Sequence, residues 1–483
     1  MQRRIRIIGL IVAIGLVAAA GLVMRSVRQG PSRDDNLRPI QGDVRSVGGI
    51  LTTTLEARDT PMDLGGVQVQ AAMYNGNYAG PVLRVHPGDL MRIHFVNHLN
   101  TPSNLHFHGL ISSPQGNSDN AHIQVPPGES FDYEVKIADH QPPGLYWYHD
   151  HTHGIAEQHV MRGLSGALLV EGFARQFDGL AGIEEQLLVV KDYAFDNDFN
   201  HSDDPRVAAY YNDRITTING LTAMRIGMRP GQTQLWRLSN QGANLISHLT
   251  LEGHRFRIIG NDGQVTTAET VVDTLDIAPA SRMDALVDAG APGTYQLIAR
   301  GLLTGTDEQQ TVDRSMGEVI VAGEPTIPIA TLRRFPDPHD LRALSITGRR
   351  TLTLSQSKDS ETYFIDNRTF DHARTDIRVA LGSVEEWIIR NDSDDFHSFH
   401  IHQMSFQPIA VNGEPIAFGG RLDNIRVPER GSVTLLLAFT DPLILGRFMY
   451  HCHVLKHEDR GMMGNIEVYQ ANTPAQAHAG HMH

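Results

Sequence analysis

The 483-residue chain contains a single cysteine, Cys452, so no intrachain disulfide braces it. A lone thiol in an exported protein is an oxidation risk that metal binding as thiolate would remove, and a buried inert cysteine is the alternative. An excess of positive charge is also missing. The 41 Lys and Arg stand against 55 Asp and Glu, a net charge of −14, which argues against a nucleic-acid backbone as partner and reads instead as solubility. Few stretches show helical periodicity. The 15 methionines form no rich cluster, and only Met462 and Met463 adjoin. At 41% hydrophobic and 20% charged residues, the remaining composition is that of an ordinary globular protein.

One long apolar run exists, from Ile7 to Met24, preceded by Arg3, Arg4 and Arg6. A basic start followed by such a run reads as an export signal, so residues 1–30 are expected to be a signal peptide or an N-terminal membrane anchor. The Arg3-Arg4 pair hints at the twin-arginine route. The run is long enough to span a bilayer, and Ala18-Ala19-Ala20 offers small residues for cleavage, so both cleaved and anchored forms stand. The expected location is exported, periplasmic or extracellular.

The length suggests about three domains. Three segments share one pattern: "VHPGDLMRIHFVN", "MRPGQTQLWRLSN" and "VALGSVEEWIIRN". Each has a glycine turn (Gly88, Gly231, Gly382), an alternating strand, and a closing asparagine (Asn97, Asn240, Asn391). A second pattern of turn, strand, glycine and aromatic-apolar strand recurs in the same three places. Repeats about 150 residues apart mean three copies of one domain, and the alternation with frequent Gly/Pro turns predicts all-β sandwiches. The expected domains are 45–172, 173–325 and 340–470. A proline-rich linker precedes the third, and a histidine-containing tail, 471–483, follows it. His478, His481 and His483 in that tail are expected to be solvated rather than functional.

Four His-x-His pairs stand out: His106/His108, His149/His151, His400/His402 and His451/His453. Residues two apart on a strand face the same way, so each pair can aim two imidazoles at one place. One pair says little, because imidazole suits copper, zinc and iron alike. Four pairs, two in each end domain and none in the middle, point to a metal cluster between domains 1 and 3. Cys452 lies between His451 and His453, where alternation sends its thiolate to the opposite face. His397, His457 and Met462 are close in sequence to these motifs, and a set of one Cys, two His and a weak Met is that of a blue-copper electron-transfer centre.

These segments, "LHFHG", "YHDH", "HSFHIH" and "HCHVLKHEDRGM", resemble the four copper-binding motifs of the multicopper oxidases, in family order and at family-like spacing, and are similar to the bacterial laccase-like three-domain type. The resemblance implies three cupredoxin-like Greek-key sandwiches and four coppers per chain. It places His397, Cys452, His457 and Met462 at a type 1 copper, and His106 and His400 at a type 2 copper. His108, His149, His151, His402, His451 and His453 fall at a type 3 pair. An axial methionine, where the high-potential fungal laccases carry an apolar residue, implies a milder oxidant.

The resemblance further implies that a small reductant docks over the edge of His457. Electrons then pass through Cys452 to His451 and His453, and dioxygen is reduced to water. Glu458 and Asp119 occupy the positions of proton-assisting acids, with a plain hydrogen-bonded carboxylate as the alternative for each. Phenols or aromatic amines are the expected reductants, and Cu(I), Fe(II) or Mn(II) the alternative. A structural, division-associated relative would have lost ligands, and none is missing. A copper nitrite reductase would have two domains, and a zinc protein would leave Cys452 and Met462 unexplained. His153 extends a pair without a family role. His86, His94, His98, His122, His140, His159, His248 and His254 are expected to be structural or exposed, and Trp147 and Tyr148 core. Oligomeric state is not legible.

Overall fold

The computed structural model describes residues 42–193, 215–301, 312–336 and 339–471. The N-terminal export segment and the histidine tail lie outside the described residues. The described residues form six β-sheets packed in three pairs. The first pair holds a four-stranded sheet centred on Ile50–Leu64 and Leu90–Asn97, and a five-stranded sheet carrying His106–His108, Gly144–His149 and Ser165–Val170. The second and third pairs each hold six and five strands. In the third, Gly446–Cys452 lies between His397–Ile401 and Met463–Tyr469. Each pair encloses its own apolar core, one around Phe95 and Tyr133, one around Trp236 and one around Trp387. The architecture is all-β and cupredoxin-like, in three domains. Among the described residues no helix is long and apolar enough to cross a membrane.

The threefold Gly…Asn pattern has one physical cause. Gly88, Gly231 and Gly382 all sit at positive φ (83°, 74° and 94°), a conformation that costs a side-chain-bearing residue and not glycine. The strands that follow end on Asn97, Asn240 and Asn391. Each asparagine is buried and does the same work. Its amide donates to two or more backbone carbonyls of the next connection: Thr101 and Val125, Leu245 and Ile277, or Asp395, Val427 and Pro428. Its Oδ1 accepts from the backbone N–H two residues on. Loop groups that would otherwise be buried without partners are thereby satisfied.

Candidate metal centre

The strand register sets the histidines in place. In the first domain His106 pairs with His149 across neighbouring antiparallel strands, and in the third His400 pairs with His451. The two domains then meet face to face. The rings of His106 and His402 stack at 3.8 Å and 10°, and those of His108 and His400 at 3.8 Å and 13°. His151 Nε2 and His402 Nε2 lie 3.2 and 3.1 Å from His451 Nε2. The His453 ring is 5.0 Å from His108 and 5.3 Å from His149. All eight histidines are buried.

Their ring nitrogens divide into two sets. One nitrogen of several rings is anchored to the protein: His106 Nδ1 to Asp119 (2.9 Å), His149 Nδ1 to the Asp150 carbonyl (2.8 Å), His400 Nδ1 to the Asp423 carbonyl (2.7 Å) and His108 Nε2 to the Asp423 carboxylate (2.9 Å). The other nitrogen of each (His106 Nε2, His108 Nδ1, His149 Nε2, His400 Nε2) is buried with no partner, as are both nitrogens of His453. Unpaired buried polar atoms are costly, and a cluster of them is what a metal site leaves when read from protein atoms alone. Burial, followed by the neighbouring rings, pushes His108, His149, His400, His402 and His453 well below the usual imidazole range, and burial carries His151 down to about 4. These six rings are therefore neutral, the form that binds metal. The donors form close groups: His106, His108 and His149; His106, His400 and His402; His151, His402 and His451, each within 4.8 Å.

Cys452 faces the other way. Its sulfur lies 3.7 Å from His397 Nδ1 and 3.6 Å from His457 Nδ1, which are 3.0 Å from each other. This compact N₂S set suits one soft cation. Met462 is fully buried in the same core, its backbone bonded to Cys452 N and His457 O. Burial pushes the Cys452 thiol up to about 12, so a metal that binds it as thiolate must displace a proton. The Ser398 N–H points at the sulfur from 3.4 Å.

Both acids singled out in the sequence are at the centre. Asp119 accepts from His106, from the Phe107 N–H and from Gln403 Nε2. Glu458 is fully buried, with Oε2 2.8 Å from His451 Nδ1 and Oε1 3.5 Å from His151 Nε2. The remaining histidines stay apart. His153 is exposed and packs on Phe370, His248 bonds Asp276, and His254 bonds the Glu252 carbonyl. His159 is buried between Thr101 and Asp150. His122 stands 4.8 Å from His372, and His86, His94, His98 and His140 are exposed. Trp147 and Tyr148 are core: Trp147 stacks on His149, and Tyr148 donates to the Pro81 carbonyl.

Sequence reasoning missed three features. Asp423 holds two of the histidines, and its carboxylate is gripped by Arg282 from the middle domain. No metal-binding motif surrounds either residue. Gly109, which ends "HFHG", has φ of +86°, and a Cβ there would lie 2.4 Å from Asp423 Oδ2, which explains the glycine. Third, the His457 ring is largely enclosed, against an aromatic neighbour that no motif announced. The ring is only 3% exposed and stacks on Tyr363 at 4.1 Å. The neighbouring Leu455 and Lys456 N–H groups bond Ala243 and Asn244 of the middle domain.

Three multicopper oxidase family models match residues 57–174, 193–321 and 344–472. Among curated proteins, the chain is 26% identical over 404 residues to a multicopper oxidase of Staphylococcus haemolyticus, covering 82% of this chain and 83% of that one. It is 27% identical over 480 residues to the cell division protein FtsP of Xenorhabdus nematophila, covering 95% and 98%. Among solved structures, a Campylobacter jejuni multicopper oxidase described as a metallo-oxidase superposes with a TM-score of 0.73 at 24% identity, covering 92% and 99%, a likeness of fold. The chain belongs to the multicopper oxidase family, oxidoreductases that use dioxygen as acceptor.

Proposed function

We propose that the chain carries four coppers and couples one-electron oxidation of a small reductant to the four-electron reduction of dioxygen to water. On this reading His397, Cys452, His457 and Met462 hold a type 1 copper, and His106 and His400 a type 2 copper. His108, His149, His151, His402, His451 and His453 hold a type 3 pair. The carrying observation is the set of buried, unpartnered ring nitrogens from two domains, joined through Cys452 to an N₂S set on the opposite face of the same strand. When bound, copper supplies the one-electron redox steps and the site of oxygen reduction.

The chain's own residues do the rest. Cys452 and its two histidine neighbours are the covalent link between the donor sets. Asp119, Asp423 and the Asp150 carbonyl fix which ring nitrogen faces inward. Glu458, in reach of His451 and near His151, is placed to hand protons to the oxygen side, with Asp119 as the second such acid. Domains at 45–172, 173–325 and 340–470, and export directed by residues 1–30, complete the reading.

Phenols and aromatic amines are the proposed reductants, since the 15 methionines form no soft-metal cluster in the sequence. The second reading is oxidation of Cu(I), Fe(II) or Mn(II), favoured by the likeness to a metallo-oxidase. Copper reconstitution followed by oxygen uptake with phenols, aromatic amines and the three metal ions tests both. Bound copper with uptake on phenols supports the first, and uptake on a metal ion alone supports the second. A chain that binds no copper would contradict both and favour a role like that named for FtsP.

A further inference from the structure

A cavity of about 600 Å³ opens where the three domains meet, lined by Ile111 and Pro142, by Val265, and by Leu341, Met404 and Ile444 among others. That volume falls within the roughly 300–1,000 Å³ typical of small-molecule sites. Arg421 reaches into this largely apolar chamber. Its one hydrogen bond runs from Nη2 to the His339 carbonyl (3.2 Å), and its Nε is buried with no partner. No carboxylate pairs with it among the described residues. Arg421 is half-buried, and the three buried arginines are by contrast matched: Arg237 by Asp284, Arg257 by Glu269 and Asp288, Arg282 by Asp423.

A guanidinium half withdrawn from water with no carboxylate beside it is costly, and burial pushes Arg421 below its usual range. The two acids on the same wall already have cationic or hydrogen-bonding neighbours. Asp139 lies 3.5 Å from Lys136, and Asp441 lies 2.9 Å from His140. Gln403, also on the wall, keeps a buried Oε1 without a partner while its Nε2 donates to Asp119. Neither Cys452 nor any of the eight clustered histidines lines the cavity.

We propose that this cavity is a second small-molecule site, separate from reductant entry, and that it takes an aromatic carboxylate. The carboxylate accepts from the free Nε–H and terminal nitrogens of Arg421, as a planar fork favours. The ring lies against Ile111, Val265 and Met404. The unmet Gln403 carbonyl oxygen favours a ring that also bears a hydroxyl donor.

The test uses the copper-loaded full chain and calorimetric titration with benzoate, 4-hydroxybenzoate and the uncharged benzamide at matched ionic strength. Benzoate is expected to bind at least tenfold tighter than benzamide, and 4-hydroxybenzoate tighter still. Arg421→Gln is expected to lose the benzoate preference, while Arg421→Lys, which keeps the charge but not the fork, retains only part of it. Equal affinity for benzoate and benzamide in the unaltered chain, or no benzoate binding, overturns the proposal whether or not the variants fold. Because carboxylates also ligate copper, the visible and near-ultraviolet bands are followed in parallel. Band shifts that track benzoate occupancy and persist in Arg421→Gln would place the ligand on the metals and overturn it equally.

Discussion

His108 Nε2 and Asp423 Oδ1 lie 2.9 Å apart although 315 residues separate them in the chain. That hydrogen bond turns the His108 Nδ1 lone pair inward, and the same aspartate is held by Arg282 from the middle domain. One carboxylate thus ties all three domains together at the edge of the histidine cluster.

Asp423→Asn is expected to cost about 3–5 kcal/mol, because it leaves Arg282 buried without its bidentate partner. Asp262, 3.6 Å from the guanidinium, remains as a weaker single contact and does not reproduce the bidentate pair. The double variant Arg282→Met/Asp423→Leu should recover much of that loss, since it removes both buried charges. Denaturant unfolding of the single and double variants checks this. A single variant as stable as the parent would remove Asp423 from the account.

Gly109→Ala should be far more damaging than the same change at Gly116. Both glycines have positive φ, which costs about 1–2 kcal/mol with a side chain. At Gly116 nothing lies within 4 Å of the new Cβ, whereas at Gly109 it meets Asp423 and Arg282 at 2.4 and 2.8 Å. Melting temperature and copper retention, measured on both variants, make the comparison.

Lys191 is fully buried, with its Nζ 2.6 Å from Ser165 Oγ, and burial pushes it down to about 7. The unfolded chain holds that proton to about pH 10.4. From about pH 7 to pH 10.4 the unfolded state binds a proton that the folded state does not. This one group therefore makes stability rise with pH, by at most about 1.4 kcal/mol per unit. Below pH 7 its full penalty is present. Lys191→Met should accordingly gain most over the parent at pH 7 and below, and the gain should fade towards pH 10. A stability difference that does not change with pH would contradict this.

How much of this was legible in the sequence depends on how local the cause is. The threefold plan could be read because the positive-φ glycines and the stapling asparagines act within their own turns and loops. The histidine pairs could be read because strand alternation fixes their direction, and because Cys452 must then face away. The Asp423 carboxylate and Arg282 could not, since the contacts that tie the domains together span 141 and 315 residues. The stacking of Tyr363 on His457 was illegible for the same reason, since Tyr363 lies outside the copper motifs.

Glu458→Gln keeps the shape of the side chain and removes its capacity to take up and release a proton. Reoxidation of the reduced enzyme by dioxygen should slow by on the order of 10²-fold, while the blue absorption stays. Loss of the blue band would instead make Glu458 a structural support of the neighbouring His457.

The most direct test of the central claim is Cys452→Ser, assayed for metal content, visible absorption and oxygen uptake on one sample. The expected result is a chain that keeps the three coppers held by the eight histidines, loses the intense blue absorption, and no longer consumes oxygen with any reductant. Sustained oxygen uptake in that variant would show that electrons reach the histidine cluster by a route that does not include Cys452.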